Sequence, residues 1–284
     1  MRHSLRVRVG PVGFRIGSDW RAPIDALAAL YAGYPVPDVA DVTVRLSATR
    51  PWRRWVRPAV AIGGDFMLPD AAPLPLRHGL LAAEMAMNLQ VALGHRRHLL
   101  LHAAAVERDG RCVILTGESG AGKSTLATLL MARGWRFMGD EFVLIDPATG
   151  TASPFPRAIS LKNESVAHVA RAMPDARLGP LLSDTPKGTI RHLAPDARAI
   201  AAMDVPAAPA LLLFPRFGAA RDVRGVDRGE AFVRLTQAST NYTMLGEAGF
   251  DALARLVTDV PAVAIDYPDG DTGVALVEEL ACAR

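Results

Sequence analysis

The stretch Cys112-Val113-Ile114-Leu115-Thr116-Gly117-Glu118-Ser119-Gly120-Ala121-Gly122-Lys123-Ser124-Thr125 decides the reading of this chain. Its first five residues are an apolar, β-like run, and Gly117–Ser124 match G-x-x-x-x-G-K-[ST] in full. Leu126, Leu129 and Leu130 then share one face of a helix that Gly134 stops. Strand, glycine-rich loop and helix in that order place backbone amides where an anion can use them. Glycines let the chain curl so that successive N–H groups point inward, and the helix N-terminus aims its dipole at the same point. Gly117, Glu118, Ser119, Gly120, Ala121 and Gly122 therefore read as a phosphate cradle. Lys123 reaches the β- and γ-phosphates, Ser124 ligates Mg²⁺, and Thr125 contacts the α-phosphate.

Downstream, Trp135–Gly139 leads to the adjacent acids Asp140 and Glu141, followed by the apolar run Phe142–Ile145 and a turn at Asp146-Pro147. Two carboxylates beside a buried strand need partners, and a magnesium-bound nucleotide supplies them. One acid can hold the metal's shell while the other accepts a proton from an attacking hydroxyl. The alternative is a solvent-exposed turn. Upstream, His102 closes the run Leu99–Leu101; alone, a strand histidine reads as a packing or edge residue.

Composition singles out three more positions. The chain has 284 residues, half of them hydrophobic and 21% charged, which excludes a disordered or fibrous protein. Of 32 cationic residues only Lys123, Lys162 and Lys187 are lysines. An arginine bias reflects base composition, so the retained lysines mark places where a compact ammonium is preferred to a planar guanidinium. Lys162 lies in Leu161-Lys162-Asn163-Glu164-Ser165, read as the start of a helix with Ser160 or Asn163 as N-cap. A cation there opposes the helix dipole and suits a phosphate better than a fold, with Arg157 acting beside it on the transferring oxygens. Lys187 sits in the loop Asp184-Thr185-Pro186-Lys187-Gly188-Thr189, read as a substrate lid.

The net charge of +3 is no nucleic-acid footprint. Arg50, Arg53, Arg54 and Arg57 do cluster around Trp52 and Trp55, read as a solvated strand-and-loop face. Cys112 and Cys282 form no metal-spaced pair. The first residues lack the apolar core of a signal peptide, and no run of 18 apolar residues occurs, so a cytoplasmic protein without membrane or nucleic-acid partners is expected. Strands are expected at Leu5–Val9, Phe14–Ile16, Val42–Leu46 and Val56–Ile62, helices at Pro23–Tyr31 and 79–93, and a loop over Asp65–Arg77. The C-terminal third reads as strands at Ala210–Phe214 and Ala262–Ile265 and helices at Glu247–Val257 and Thr272–Ala281, with Asn241 and Tyr242 as packing residues. This gives a small α+β domain over 1–90 and an α/β phosphate-loop core over 91–284.

His102, Gly117–Ser124 and Gly139-Asp140-Glu141 together resemble the catalytic domain of HPr kinase/phosphorylase, of the PEP-carboxykinase-like P-loop class. Pro156–Ser165, Asp184–Thr189 and Asn241–Gly246 extend the resemblance to the HPr kinase-related kinase A group. The resemblance implies an ATP- and Mg²⁺-dependent kinase acting on a serine hydroxyl of a protein or ribosomally made peptide. It implies Asp140 as base, Glu141 with Ser124 near the metal, and His102 close to the transferred phosphate. It also implies a homo-oligomer, by analogy alone. The Pro-Gly-Arg-Asn region of HPr kinase is missing, so HPr as substrate and the phosphorolytic reaction are not expected. Two rival readings use the same residues: a sugar or metabolite kinase, and a regulatory module that binds ATP without transfer.

Overall fold

The computed structural model describes residues 2–67 and 71–282. The chain opens with a hairpin of β1 (His3–Val9) and β2 (Val12–Ser18), in which Val7, Val9, Val12, Phe14 and Ile16 are buried while Arg6 and Arg15 pair on the opposite face. Its turn at Gly10 has φ +47°, and a Cβ there would lie 2.0 Å from the Pro154 carbonyl oxygen, so only glycine lets the hairpin approach the rest of the protein. Helix α1 (Arg21–Leu30) crosses from β2 to the parallel strand β3 (Val42–Ala48), and antiparallel β4 (Ala59–Gly64) and β5 (Leu74–Pro75) complete a five-stranded sheet.

Two expectations shift here. Strand β4 begins at Ala59, because Pro51–Arg54 forms a 3₁₀ turn and Arg57 takes φ 45° ahead of Pro58. The expected loop at Asp65–Arg77 contains β5 and a second 3₁₀ turn at Leu76–His78; its residues 68–70 lie outside the described residues. On the first 3₁₀ turn, Trp52 and Trp55 are exposed, with the guanidiniums of Arg50 and Arg54 over their rings.

Helix α2 (Gly79–Gly94) is apolar almost all round because it is covered on several sides. Leu80, Leu81, Ala83, Met87 and Val91 pack with the five-stranded sheet in one cluster that also holds Phe142, Leu144, Phe155, Ala158 and Ile190. The N-terminal sheet and the phosphate-loop region therefore share a continuous apolar core.

After β6 (Leu99–Leu101), a six-stranded sheet is built around β7 (Ala103–Arg108) and β8 (Arg111–Thr116). The phosphate loop leaves β8 and enters α3 (Lys123–Ala132), and β9 (Arg136–Gly139) returns to the sheet edge. The hairpin of β10 (Val143–Ile145) and β11 (Ala152–Ser153) pairs with β6. Strand β12 (Ile159–Lys162) precedes α4 (Glu164–Ala172), and β13 (Leu182–Thr185) with β14 (Gly188–Leu193) completes a three-stranded sheet in the order β12-β14-β13. The short α5 (Ala197–Ala201) leads to β15 (Ala208–Phe217), β16 (Asp222–Val226), α6 (Arg228–Ala238), α7 (Tyr242–Leu245), α8 (Glu247–Asp259), β17 (Ala262–Tyr267) and α9 (Gly270–Cys282).

The large sheet runs β16-β17-β15-β8-β7-β9, with β17, β15 and β8 parallel. Alternate residues sort its faces. Val113 and Leu115 pack with Leu126, Leu130, Val274 and Val277 of α3 and α9, while Cys112 and Ile114 pack with Leu235, Leu253 and Leu256 of α6 and α8. The result is a three-layer α/β/α core whose phosphate loop opens at the C-terminal ends of the parallel strands. No helix among the described residues is long and apolar enough to cross a membrane.

At the sheet's β7–β9 edge, Arg136 donates from Nε to Glu107 Oε2 at 2.5 Å and from Nη1 to the carbonyls of Ala202 and Val205, with both side chains of the pair buried. The arginine draws the Glu107 carboxyl below its ordinary pKa against the opposing effect of burial. Removing one partner strands the other charge. Arg136→Met is expected to cost about 3–5 kcal/mol of stability, read from urea midpoints. A group with a depressed folded pKa stabilises above its unfolded pKa, so the Glu107 contribution should be lost as pH falls through the folded value.

Candidate active site

Glycines at 117, 120 and 122 take φ of 150°, 88° and 91°, and the loop they shape delivers the chain into α3 with no side chain capping its first amides. The uncapped amides and the helix dipole make an anion site. Lys123 is folded back along the loop, its Nζ donating to the carbonyls of Gly117 at 2.7 Å and Glu118 at 2.9 Å. Burial, only partly opposed by Asp140 and Glu141, lowers its pKa. Ser124 Oγ donates to Asp140 Oδ1 at 2.9 Å, which ties the first turn of α3 to the acidic pair at the end of β9.

Asp140 is buried, with its Oδ2 unpartnered. Burial, and next the neighbouring Glu141 charge, push its pKa up to about 6 against the opposing hydrogen bond from Ser124. Glu141 has φ 69°, a strained conformation for a non-glycine residue. Its Oε2 lies 3.8 Å from Nε2 of His102, whose ring is half exposed. Desolvation lowers the His102 pKa, with Glu141 opposing and the three lysines adding to the shift.

These groups line one cavity of about 800 Å³ running along α3. Ser119 through Thr125 line it together with His102, Asp140, Glu141 and Ser160. Phe217, Tyr267 and Gly270 stand on the wall from β15 and the β17–α9 junction, and His168 and Arg171 on α4. Lys123, Lys162 and Lys187 all line it. Every lysine of the chain thus faces the same space, although they come from α3, the end of β12 and the β13–β14 turn.

The elements that carry the two downstream lysines differ from expectation. Lys162 is the last residue of β12 rather than the first of a helix, because its main chain pairs with Ile190 and α4 starts at Glu164. Asn163 occupies the N-cap position with φ 51°, but its Oδ1 accepts from the Thr189 N–H instead of capping α4. Ser160 lies within β12. The Lys187 segment is the tight turn of a hairpin, held by Thr185 Oγ1 donating to the Gly188 carbonyl at 2.6 Å. Arg157 is a correction: it does not line the phosphate-loop cavity. Its guanidinium is fully buried against the side chains of Glu84 and Asn88, with a further bond to the Glu84 carbonyl at 3.0 Å.

Asn241 is fully buried; its Oδ1 accepts from the Leu100 N–H and its Nδ2 donates to the carbonyls of His95 and His98. It is a packing residue. Nothing in the sequence marks Glu84, Asn88 and His192, which lie in an apolar helix and an ordinary strand with no motif around them.

The donor set fits a magnesium-bound nucleotide. Free amides and Lys123 suit the phosphates, and Ser124 Oγ with the acidic pair offers oxygen ligands of the hard kind Mg²⁺ prefers. No group of three or more histidine, cysteine or acidic residues could hold a metal by itself among the described residues.

Residues 80–208, less than half of the chain, match the family described as SynChlorMet cassette protein ScmC. The match takes in α2, the phosphate loop, the acidic pair and all three lysines. No curated protein matches the chain. Among solved structures, the Hpr(Ser) kinase/phosphatase from Coxiella burnetii is similar at 16% identity and a TM-score of 0.32, over 65% of this chain and 94% of that one. The matching family model is that of ScmC rather than of the HPr kinases.

A Cβ on Gly122 would lie 2.4 Å from the Tyr267 hydroxyl and 3.1 Å from Phe217 Cβ, at a φ that side chains rarely adopt. Gly122→Ala is therefore expected to lower affinity for a fluorescent ADP analogue at least tenfold. Adding Tyr267→Phe, which relieves the contact but not the φ strain, should restore only part of it.

Proposed function

We propose that this protein is an ATP-dependent phosphotransferase acting on a serine-type hydroxyl of a protein or peptide. The observation that carries the reading is the convergence of all three lysines on the cavity that holds the phosphate loop and the Asp140–Glu141 pair. Bound MgATP supplies the transferable phosphoryl group and the electrophilic γ-phosphorus. The loop amides and Lys123 hold the phosphates, and Ser124 with Glu141 holds the metal. Asp140 accepts the acceptor's hydroxyl proton as the hydroxyl oxygen bonds to phosphorus; the bridging oxygen leaves on ADP with the electron pair of the broken bond. Lys162 and Lys187 balance charge on the transferring oxygens, and His102 orients Glu141. Positioning and fixed charge carry the rate in such a reaction.

The test is incubation with γ-labelled ATP and a cellular peptide fraction, followed by mass identification of the labelled side chain. Asp140→Asn should reduce transfer by about 10²–10⁴-fold, the ordinary contribution of a positioned base, with nucleotide binding retained. Transfer at the wild-type rate would rule out Asp140 as base. Lys162→Arg and Lys187→Arg should each slow transfer at least tenfold, whereas the surface change Arg221→Lys should not. Wild-type rates in both lysine variants would remove the charge-balancing role.

A further inference from the structure

The turn between β3 and β4 carries an arrangement that the phosphate site does not use. Trp52 is 53% exposed and Trp55 72%, with Val56 exposed beside them, whereas Trp20 and Trp135 are buried. Large apolar side chains gathered at one exposed place mark a contact surface. Arg50, Arg53, Arg54 and Arg57 surround the two indoles, and residues 42–64 contain no acidic residue. None of these four arginines forms a salt bridge among the described residues. Their charge is left for a partner outside the fold.

The turn is also braced. Pro51 opens the 3₁₀ turn, Trp20 Nε1 donates to the Arg54 carbonyl at 2.9 Å, and the Arg54 guanidinium donates to the Asp19 carbonyl. The guanidiniums over the Trp52 and Trp55 rings add a cation–π contact to each indole in its exposed place. A surface ordered in advance loses little conformational freedom on binding.

One occupant uses both sets of groups. Indole rings settle at the level of lipid headgroups, apolar body inward and N–H in the wet layer. Guanidiniums match phosphate geometry bidentately. An anionic bilayer therefore takes tryptophan and arginine together, and takes them from an exposed turn without needing a groove. An acidic peptide would engage the arginines and leave the exposed tryptophans unexplained.

We propose that the β3–β4 turn is a docking surface for an anionic membrane, with Trp52, Trp55 and Val56 entering the headgroup layer and the arginines meeting lipid phosphates. An apolar run long enough to span a bilayer is not needed to lie on one, so this surface departs from the expectation of no membrane partner. Each basic residue near an anionic surface changes partitioning about fivefold, and added salt screens the attraction.

The test mixes the full chain with vesicles of phosphatidylcholine alone and of phosphatidylcholine with phosphatidylserine, reading co-sedimentation and tryptophan emission. Because Trp20 and Trp135 are buried, a blue shift on adding vesicles reports Trp52 and Trp55. Vesicles with phosphatidylserine should bind at least tenfold more tightly, and less so as salt rises. Trp52→Ser with Trp55→Ser should abolish the blue shift and cut partitioning at least tenfold. Arg50→Gln with Arg53→Gln and Arg57→Gln should cut it as much, with Arg54 kept because it braces the turn. Urea midpoints of both variants should match wild type, since the changed side chains lie at the surface. Equal binding to both vesicle types overturns the proposal, as does wild-type partitioning by either variant. No binding to anionic vesicles at low salt overturns it too. If polyglutamate shifts the emission and vesicles do not, the turn serves an acidic protein and the membrane surface is ruled out.

Discussion

A buried ion pair fixes how the two halves of this protein meet. Arg157 and Glu84 are almost completely removed from water, and each would cost several kcal/mol if left alone there. Tyr31, just after α1, donates to Glu84 Oε2 at 3.2 Å, and Tyr34 donates to the Pro156 carbonyl at 2.5 Å. Burial pushes both phenols well above their ordinary pKa, so they stay neutral donors. Five hydrogen bonds to α2 and to the segment just after α1 thus grip residues 156–158, which lead directly into β12 and Lys162. The position of Lys162, which lines the large cavity, is thus tied to packing in the N-terminal half.

The phosphate-loop half shows the opposite economy of means. Its loop, its lysine and its acidic pair lie within 25 residues and are joined by a short helix and a single hydrogen bond from Ser124 to Asp140. Glu141 holds a strained backbone conformation beside His102. Local strain of this sort persists only where surrounding structure determines it, and here the β7–β9 pairing and the shared core supply that support.

This difference explains what could be read from the sequence. The phosphate loop was legible because strand, glycines, lysine and helix are consecutive and their chemistry is local. The lysines were legible for a compositional reason, since arginine is the default cation here and each exception stands out. The burial of Arg157 against Glu84 is not legible in the sequence, because the two lie 73 residues apart and no spacing rule connects them. Ser160 and Asn163 look like caps, so local preference puts Lys162 at a helix start. Pairing of β12 with β14 overrides that local preference. The all-round apolarity of α2 was visible, but that its second face packs beside the acidic pair follows only from tertiary structure.

The folded-back pose of Lys123 has an energetic consequence of its own. Its ammonium already holds two carbonyls of the loop. Two of its three N–H donors are therefore engaged within the loop, and in the proposed function the third is the one open to a phosphate. The same two bonds hold the loop in its curled form, so little ordering would remain to be done when a ligand arrives. The Gly117 and Glu118 carbonyls therefore hold the ammonium as acceptors, the part that the proposed function gives to a phosphate oxygen.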